Sequence, residues 1–469
     1  MIRRPTLDFP PAGESETNLT SHRAEWQARQ MEERGRRLLA EDARYFLHQS
    51  VSTPCLAAIR RAEGCWIEDT AGRRYLDFHG NSAHHLGYGH PRLIAALKTQ
   101  LDELSFAPRR FTCEPAVDLA RRLIEISPPG LDKVLFATGG SDAVEIALKI
   151  ARAATGRFKT ISFWDAFHGA GFGAASIGGE ALFRSGPIGP LLPGTQQVAP
   201  FACYRCPYGY PADDRGRPRL ELCRLTCANF VRYVLEKEGD VAAVIAEPTR
   251  AVPYVPPPGF WPAVREACAA HGALLVFDEI PTGLGKTGRW FACEHEGAIP
   301  DILVLGKALG GGVLPIAATL CRAELDVGQH WAFGHYTHEK NPVLARAALT
   351  TLDIIADEGL VENARRMGEH ALSRLEEMRE RHPLIGAVRG RGLLLGVELV
   401  NDRETRAPAN AAADAVLYRA LARGLSFKIS LGNVLTLSPP LIVREPELDA
   451  ALEILETCIA EIERERFQT

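Results

Sequence analysis

The sequence is short of several things, and each shortage narrows what the chain can be. No apolar run approaches the ~18 residues that a membrane span requires. The first residues, Met-Ile-Arg-Arg-Pro-Thr-Leu-Asp-Phe-Pro, hold no apolar core of the kind a secretory signal needs. There is no basic excess. A net charge of −4 over 469 residues argues against the field of a nucleic-acid binder. No internal repeat and no low-complexity segment interrupts the chain. These absences predict a cytoplasmic protein with neither nucleic acid nor membrane as a partner.

What is present is ordinary in bulk and particular in detail. Hydrophobic residues make up 46% and charged residues 24%, the balance of a soluble globular enzyme. The length exceeds one compact core and predicts two packed domains behind an N-terminal arm. Eleven cysteines are scattered, but Cys203, Cys206, Cys223 and Cys227 cluster as C-x2-C and C-x3-C. That spacing suits a tetrahedral zinc site. Buried free thiols in a loop are the plainer reading. No metal is assigned to the active site.

Residues 1–45 are polar and helix-prone and read as an arm. Residues 64–78 alternate as a hairpin does, with Asp-Thr-Ala-Gly at the turn. From about 80 to 325, short aliphatic runs alternate with helical stretches. The runs are Val134–Ala137, Thr160–Phe163, Val241–Ala246, Ala273–Phe277, Ile302–Leu305 and Ile316–Leu320. Near-continuous apolar strands between helices predict an α/β fold with a mostly parallel sheet covered on both faces. Helices are expected from Pro342 to about Asp357 and from about Leu360 to His382. Strands follow at Gly392–Val400 and Val434–Leu437, then a last helix from Glu445. The expected division is an arm and hairpin over 1–75 that pack with the small domain, a large domain over 76–330, and a smaller α+β domain over 331–469.

Ligands of such a sheet lie at strand ends and helix N-termini. Asp278 closes the run Ala-Leu-Leu-Val-Phe-Asp, and Lys307 follows Asp-Ile-Leu-Val-Leu-Gly. A buried amine and carboxylate at adjacent strand ends are the pair that pyridoxal phosphate needs. The lysine carries the cofactor and the aspartate keeps its ring nitrogen protonated. Either residue alone would read as a surface group or a helix cap. Phe136-Ala-Thr-Gly-Gly-Ser is a strand, a glycine turn and a helix start. There Gly139, Gly140 and the N–H groups around Ser141 can cradle a phosphate. Phe167, in Phe163-Trp-Asp-Ala-Phe-His-Gly-Ala, offers an aromatic face. Glu247, before Pro248, adds a carboxylate at the same edge.

In this order the pieces resemble the class III aminotransferases, pyridoxal-phosphate enzymes of fold type I. The resemblance covers about residues 60–445. It is densest in Phe277-Asp-Glu-Ile-Pro-Thr-Gly-Leu-Gly-Lys-Thr-Gly and in Pro300-Asp-Ile-Leu-Val-Leu-Gly-Lys-Ala-Leu-Gly-Gly-Gly. It implies Lys307 as the lysine that binds the cofactor, Asp278 as its pyridinium partner, Gly140 and Ser141 as phosphate ligands, and Phe167 as the stacking ring. Thr337 matches a family threonine that reaches the phosphate in the neighbouring subunit. That match implies a homodimer with shared sites.

The departures from the family carry the substrate information. Where glutamate-using members have an arginine before Pro-Pro-Leu, this chain has Thr436. Where they have a switch glutamate, counting five residues from Glu247 gives Val252. Other members place an arginine before a Gly-Asp pair, and here the stretch is Lys428-Ile-Ser-Leu-Gly-Asn. A keto-acid carboxylate wants a guanidinium in a desolvated pocket. Without one, a reaction that needs a single substrate is favoured. Segments such as Gly334-His-Tyr-Thr-His-Glu-Lys-Asn-Pro resemble the branch of ammonia-lyases that act on hydroxylated aminophosphonates. The expectation is a lyase of that kind, with an ω-aminotransferase as the alternative and a silent scaffold as a remote third. Arg250 and Lys340 are the expected anion ligands, with Arg109 and Arg110 behind them. His79, Asn81, His84 and His85 crowd a segment expected near the cofactor, where an imidazole could protonate a leaving group.

Overall fold

The computed structural model describes residues 20–49, 52–184 and 186–466. Residues 1–19 of the expected arm therefore lie outside the described residues. The rest of the arm forms two helices, each started by a side-chain cap. The Thr20 hydroxyl accepts the Arg23 N–H, and the Glu32 carboxylate accepts those of Arg34 and Gly35. The first helix, Ser21–Gln30, lies against Asn410–Ala422, where His22 meets Asp414 at 2.8 Å. The expected hairpin pairs Trp66–Asp69 with Arg74–Asp77. Its turn is closed by Asp69, whose carboxylate accepts the N–H groups of Ala71 and Arg73.

The central sheet has seven strands: β1 (Lys133–Ala137), β2 (Lys159–Phe163), β3 (Thr195–Val198), β4 (Val241–Ala246), β5 (Leu274–Asp278), β6 (Ile302–Leu305) and β7 (Ala317–Cys321). Their order is β1-β7-β6-β5-β4-β2-β3, and only β7 runs against the rest. β4 is buried at all six positions, as a strand covered on both faces must be. The expected α/β fold is therefore present. The strand the sequence hides is β3, Thr-Gln-Gln-Val. Three of its four residues are only half-buried, so it has no need of an aliphatic run.

The C-terminal part builds a four-stranded antiparallel sheet from 385–391, 394–399, 434–437 and 428–430. Ile385–Arg391 was not expected, because Gly386, Arg389, Gly390 and Arg391 break its aliphatic pattern. Its charges are neutralised inside the fold. Arg389 meets Glu398 at 2.6 Å, and Glu398 is fully buried. A second sheet joins the arm's hairpin to this region, with Leu425–Ser426 parallel to Arg74–Asp77. The helix Pro342–Asp357 is capped by Asn341, which accepts the Val343 and Leu344 N–H groups. It packs on Pro91–Glu103 and Glu114–Ile126 of the large layer. That helix ties the expected C-terminal segment to the large layer.

Candidate active site

Because β1, β2, β4, β5 and β6 run the same way, their C-terminal ends share one edge of the sheet. That edge collects Thr138, Trp164, Glu247, Asp278 and Lys307. A cleft of about 340 Å³ opens there. Thr138, Gly139, Gly140, Lys307 and the segment Gly312–Ile316 line it. The volume is within the range of small-molecule sites.

Lys307 follows β6 after Gly306, with φ at 44°. A non-glycine residue in the left-handed region is strained and marks a place worth explaining. The side chain is open to the cleft on one side and walled by protein on the others. Burial lowers its pKa below the ordinary lysine value, against the opposing pull of Asp278 and Glu247. Asp278 is buried and doubly held. One oxygen accepts the Ile280 N–H at 3.1 Å, and the other meets His168 Nδ1 at 2.8 Å. Glu247 is buried, and its pKa is raised by burial and then by Asp278. Its carboxylate accepts the Ala251 N–H.

The phosphate side is equally particular. The helix Gly140–Thr155 starts at Gly139 with no side chain over its end, so its first N–H groups stay open. A Cβ on Gly140 would stand 2.8 Å from Ile280 Cδ1, so the helix start lies close against the turn after Asp278. Gly169, at φ +133°, allows a second close approach: a Cβ there would meet Ser141 Oγ at 2.4 Å. Ser141 Oγ accepts the Ala170 N–H, which leaves its own proton to donate. A strained lysine, a held carboxylate and an uncapped helix start around one cleft form a donor set that fits pyridoxal phosphate.

The structure brings Lys307, Gly139 and Gly140 together around the cleft, with Asp278 and Glu247 acting on Lys307 and Ser141 at the adjoining helix start. Phe167 is part-exposed and its ring lies 4.5 Å from that of Phe183. Thr337 and Lys340 are exposed and line no part of the cleft. Arg109 pairs with His335 at 2.6 Å on the same exposed rim, and Arg110 is exposed. Arg250 is 3% exposed, and its Nη2 donates to the Asp165 carbonyl. Its Nε and Nη1 have no hydrogen-bond partner among the described residues.

The histidines differ from expectation. His84 and His85 are buried and donate to the carbonyls of Asp77 and Gly283. His79 is pushed down to about 4, first by burial and then, against Asp77, by Lys428, His84 and Lys307. At pH 7 it is a neutral imidazole and so a weak acid. Asn81 is exposed in a left-handed turn. Two residues were missed by sequence reasoning. His168 is one. Lys428 is the other: it is half-buried, and its charge bears on both His79 and Lys307.

The Aminotransferase class-III family model matches residues 47–459. The (R)-1-hydroxy-2-aminoethylphosphonate ammonia-lyase of Vibrio splendidus is 42% identical over 96% of this chain and 95% of its own. The leucine/methionine racemase of Thermococcus litoralis is 38% identical over 87% of this chain and 91% of its own. Among solved structures, the omega transaminase from Pseudomonas jessenii in complex with PMP superposes with a TM-score of 0.84. It is 29% identical over 90% of this chain and 98% of that one.

Proposed function

Because this chain belongs to the class-III aminotransferase family and works with pyridoxal phosphate, we propose that it is an ammonia-lyase. Its substrate is (R)-1-hydroxy-2-aminoethylphosphonate, as the name of the Vibrio relative reads. The products are phosphonoacetaldehyde and ammonia. The observation that carries this reading is Arg250, a buried guanidinium with two nitrogens lacking a partner. A buried cation left unpaired is costly, and an anionic substrate relieves it. The places of the family's clamp for a keto acid are meanwhile taken. Thr436 bonds Ser430 at 2.9 Å in the interior, and Val252 is buried.

Gly139, Gly140 and Ser141 would hold the phosphate, Lys307 the aldehyde carbon, Phe167 the ring face and Asp278 the ring nitrogen. When bound, the cofactor supplies an electron sink for the carbon that bears the substrate's amine. Lys307 Nζ, whose ammonium form is disfavoured by desolvation, takes the proton from that carbon. His168 fixes Asp278, which keeps its charge directed at the ring nitrogen. Neutral His79 leaves Lys307 as the group that returns the proton to the departing hydroxyl. Loss of water across the two carbons gives an unsaturated amine. Its hydrolysis consumes one water and yields the aldehyde and ammonia. Arg250 and Lys428 hold the phosphonate. Lys340 and Thr337 lie away from this cleft and serve the partner's site in a homodimer.

The test uses purified holoenzyme with the hydroxylated aminophosphonate and no keto acid. Ammonia and aldehyde should accumulate over many turnovers while the cofactor stays as pyridoxal phosphate. One stoichiometric conversion to pyridoxamine phosphate, followed by arrest, would overturn the lyase and favour an ω-aminotransferase.

A further inference from the structure

Between β3 and the helix Thr226–Glu238 the chain leaves the sheet for about 27 residues. Cys203, Cys206, Cys223 and Cys227 fall inside this excursion, or within the first turn of that helix. All four line one cavity of about 30 Å³, large enough for a single small occupant. None is in a disulfide. The backbone is bent to bring them there. Gly209, at φ 78°, returns its N–H to the Cys206 carbonyl at 3.0 Å. Between Cys223 and Cys227, Arg224 and Leu225 are both left-handed, with φ at 44° and 54°. Two consecutive strained non-glycine residues persist only where the surroundings fix them. The Thr226 hydroxyl spans the same turn to the Cys223 carbonyl at 2.6 Å. Cys227 sits in the first turn of the helix Thr226–Glu238.

We propose that these four cysteines bind one zinc ion as a closed, structural site of four thiolates. The spacing is that of such sites, and four ligands leave no open position for catalysis. All four sulfurs are free thiols gathered at one cavity, the ligand set that such a site takes. Each thiol gives its proton to water as it binds the ion. No three of the sulfurs lie within 4.8 Å of one another, so binding contracts the cluster about its cavity. The only described triad that meets that distance is His370, Glu445 and Asp449. It is part-exposed, and Asp449 already pairs with His370 and Arg374.

The ion has a mechanical consequence. The two residues inside C-x2-C are the ones that dock on the C-terminal domain. Tyr204 packs with Ala387 and Val400. Arg205 meets the buried Glu398 at 2.6 Å and donates to Asn433 at 3.2 Å. Zinc at this knot pins the contact between the two domains.

The experiment is metal analysis by mass spectrometry of gel-filtered holoenzyme from zinc-supplemented cells. About one zinc per chain is expected, released in step with four thiols on titration with a mercurial reagent. Cys223→Ser with Cys227→Ser should lose the metal, while Cys268→Ser, a lone buried thiol elsewhere, should keep it. The double variant's midpoint of thermal unfolding should fall even though Lys307 is untouched. Zinc below about 0.1 per chain, an intact mass showing two disulfides, or iron with visible absorbance would each overturn the proposal. The titration on unmodified enzyme holds even where the double variant does not fold.

Discussion

Arg250 is where residue chemistry and function meet most directly. Its guanidinium lies under protein, beside the Tyr254 ring at 5.5 Å, with two nitrogens unpaired. Arg250→Gln removes a charge that costs the empty protein stability and that binds the substrate's anion. The variant should therefore raise KM for the aminophosphonate by about 10- to 100-fold, the worth of a hydrogen bond to a charged group. kcat should fall much less, and thermal stability without substrate should hold or rise. Steady-state kinetics and a melting curve check both halves. A collapse of kcat at unchanged KM would remove Arg250 from the substrate's anion. Arg250 was legible only as an oddity of the sequence, since its burial depends on the Asp165 carbonyl 85 residues away. Lys307 and Asp278 were legible because each ends an aliphatic run, and that local pattern places them on one edge. His168 was not: its partner Asp278 is 110 residues distant, and no local pattern announces the pair.

Elements were readable where burial wrote a period and hidden where it did not. Six of the seven central strands show as aliphatic runs, and five of those six are buried at four or more positions. β3 is fully buried at Val198 alone, and Ile385–Arg391 buries arginines against Glu398, so neither carries that signature. The turn after β5 holds a similar concealed charge. Lys286 is 0% exposed and donates one bond, to the Pro439 carbonyl at 2.7 Å. Burial pushes its pKa from 10.5 down to about 7, partly opposed by Asp77. Between those values the unfolded chain binds more protons than the folded one. Stability therefore rises with pH across that window, and the burial cost is greatest below pH 7. Lys286→Met removes that dependence. Its stability advantage over the parent should be larger at pH 6.5 than at pH 10, by on the order of 3 kcal/mol. Urea unfolding of both proteins, saturated with cofactor, measures the gap. A gap that stays constant or widens with pH would place the lysine's charge in water.

At the scale of the whole molecule, the cleft and the remaining predicted contacts do not meet within one chain. Thr337 and Lys340 stand exposed on a rim where two segments touch. Phe106 lies edge-on to His338 at 5.5 Å, and Asn341 donates to the Ser105 carbonyl. Leu104, Phe106, Phe111 and Trp331 leave this rim broadly apolar and exposed. An apolar patch of that kind marks an interaction surface, and a two-fold dimer presents the same patch to itself. If that dimer carries Thr337 to the partner's cofactor phosphate, two inactive chains can restore one site. Lys307→Ala loses the base, and Thr337→Glu sets a carboxylate against a phosphate. In a hybrid, the chain with intact Lys307 faces a partner with intact Thr337. After random reassortment about half the dimers are hybrids with one good site in two, so activity should return to about a quarter of the parent's. The mixture is assayed for ammonia release before and after mild dissociation and reassembly. Activity that stays at the sum of the two variants would mean that each chain completes its own site.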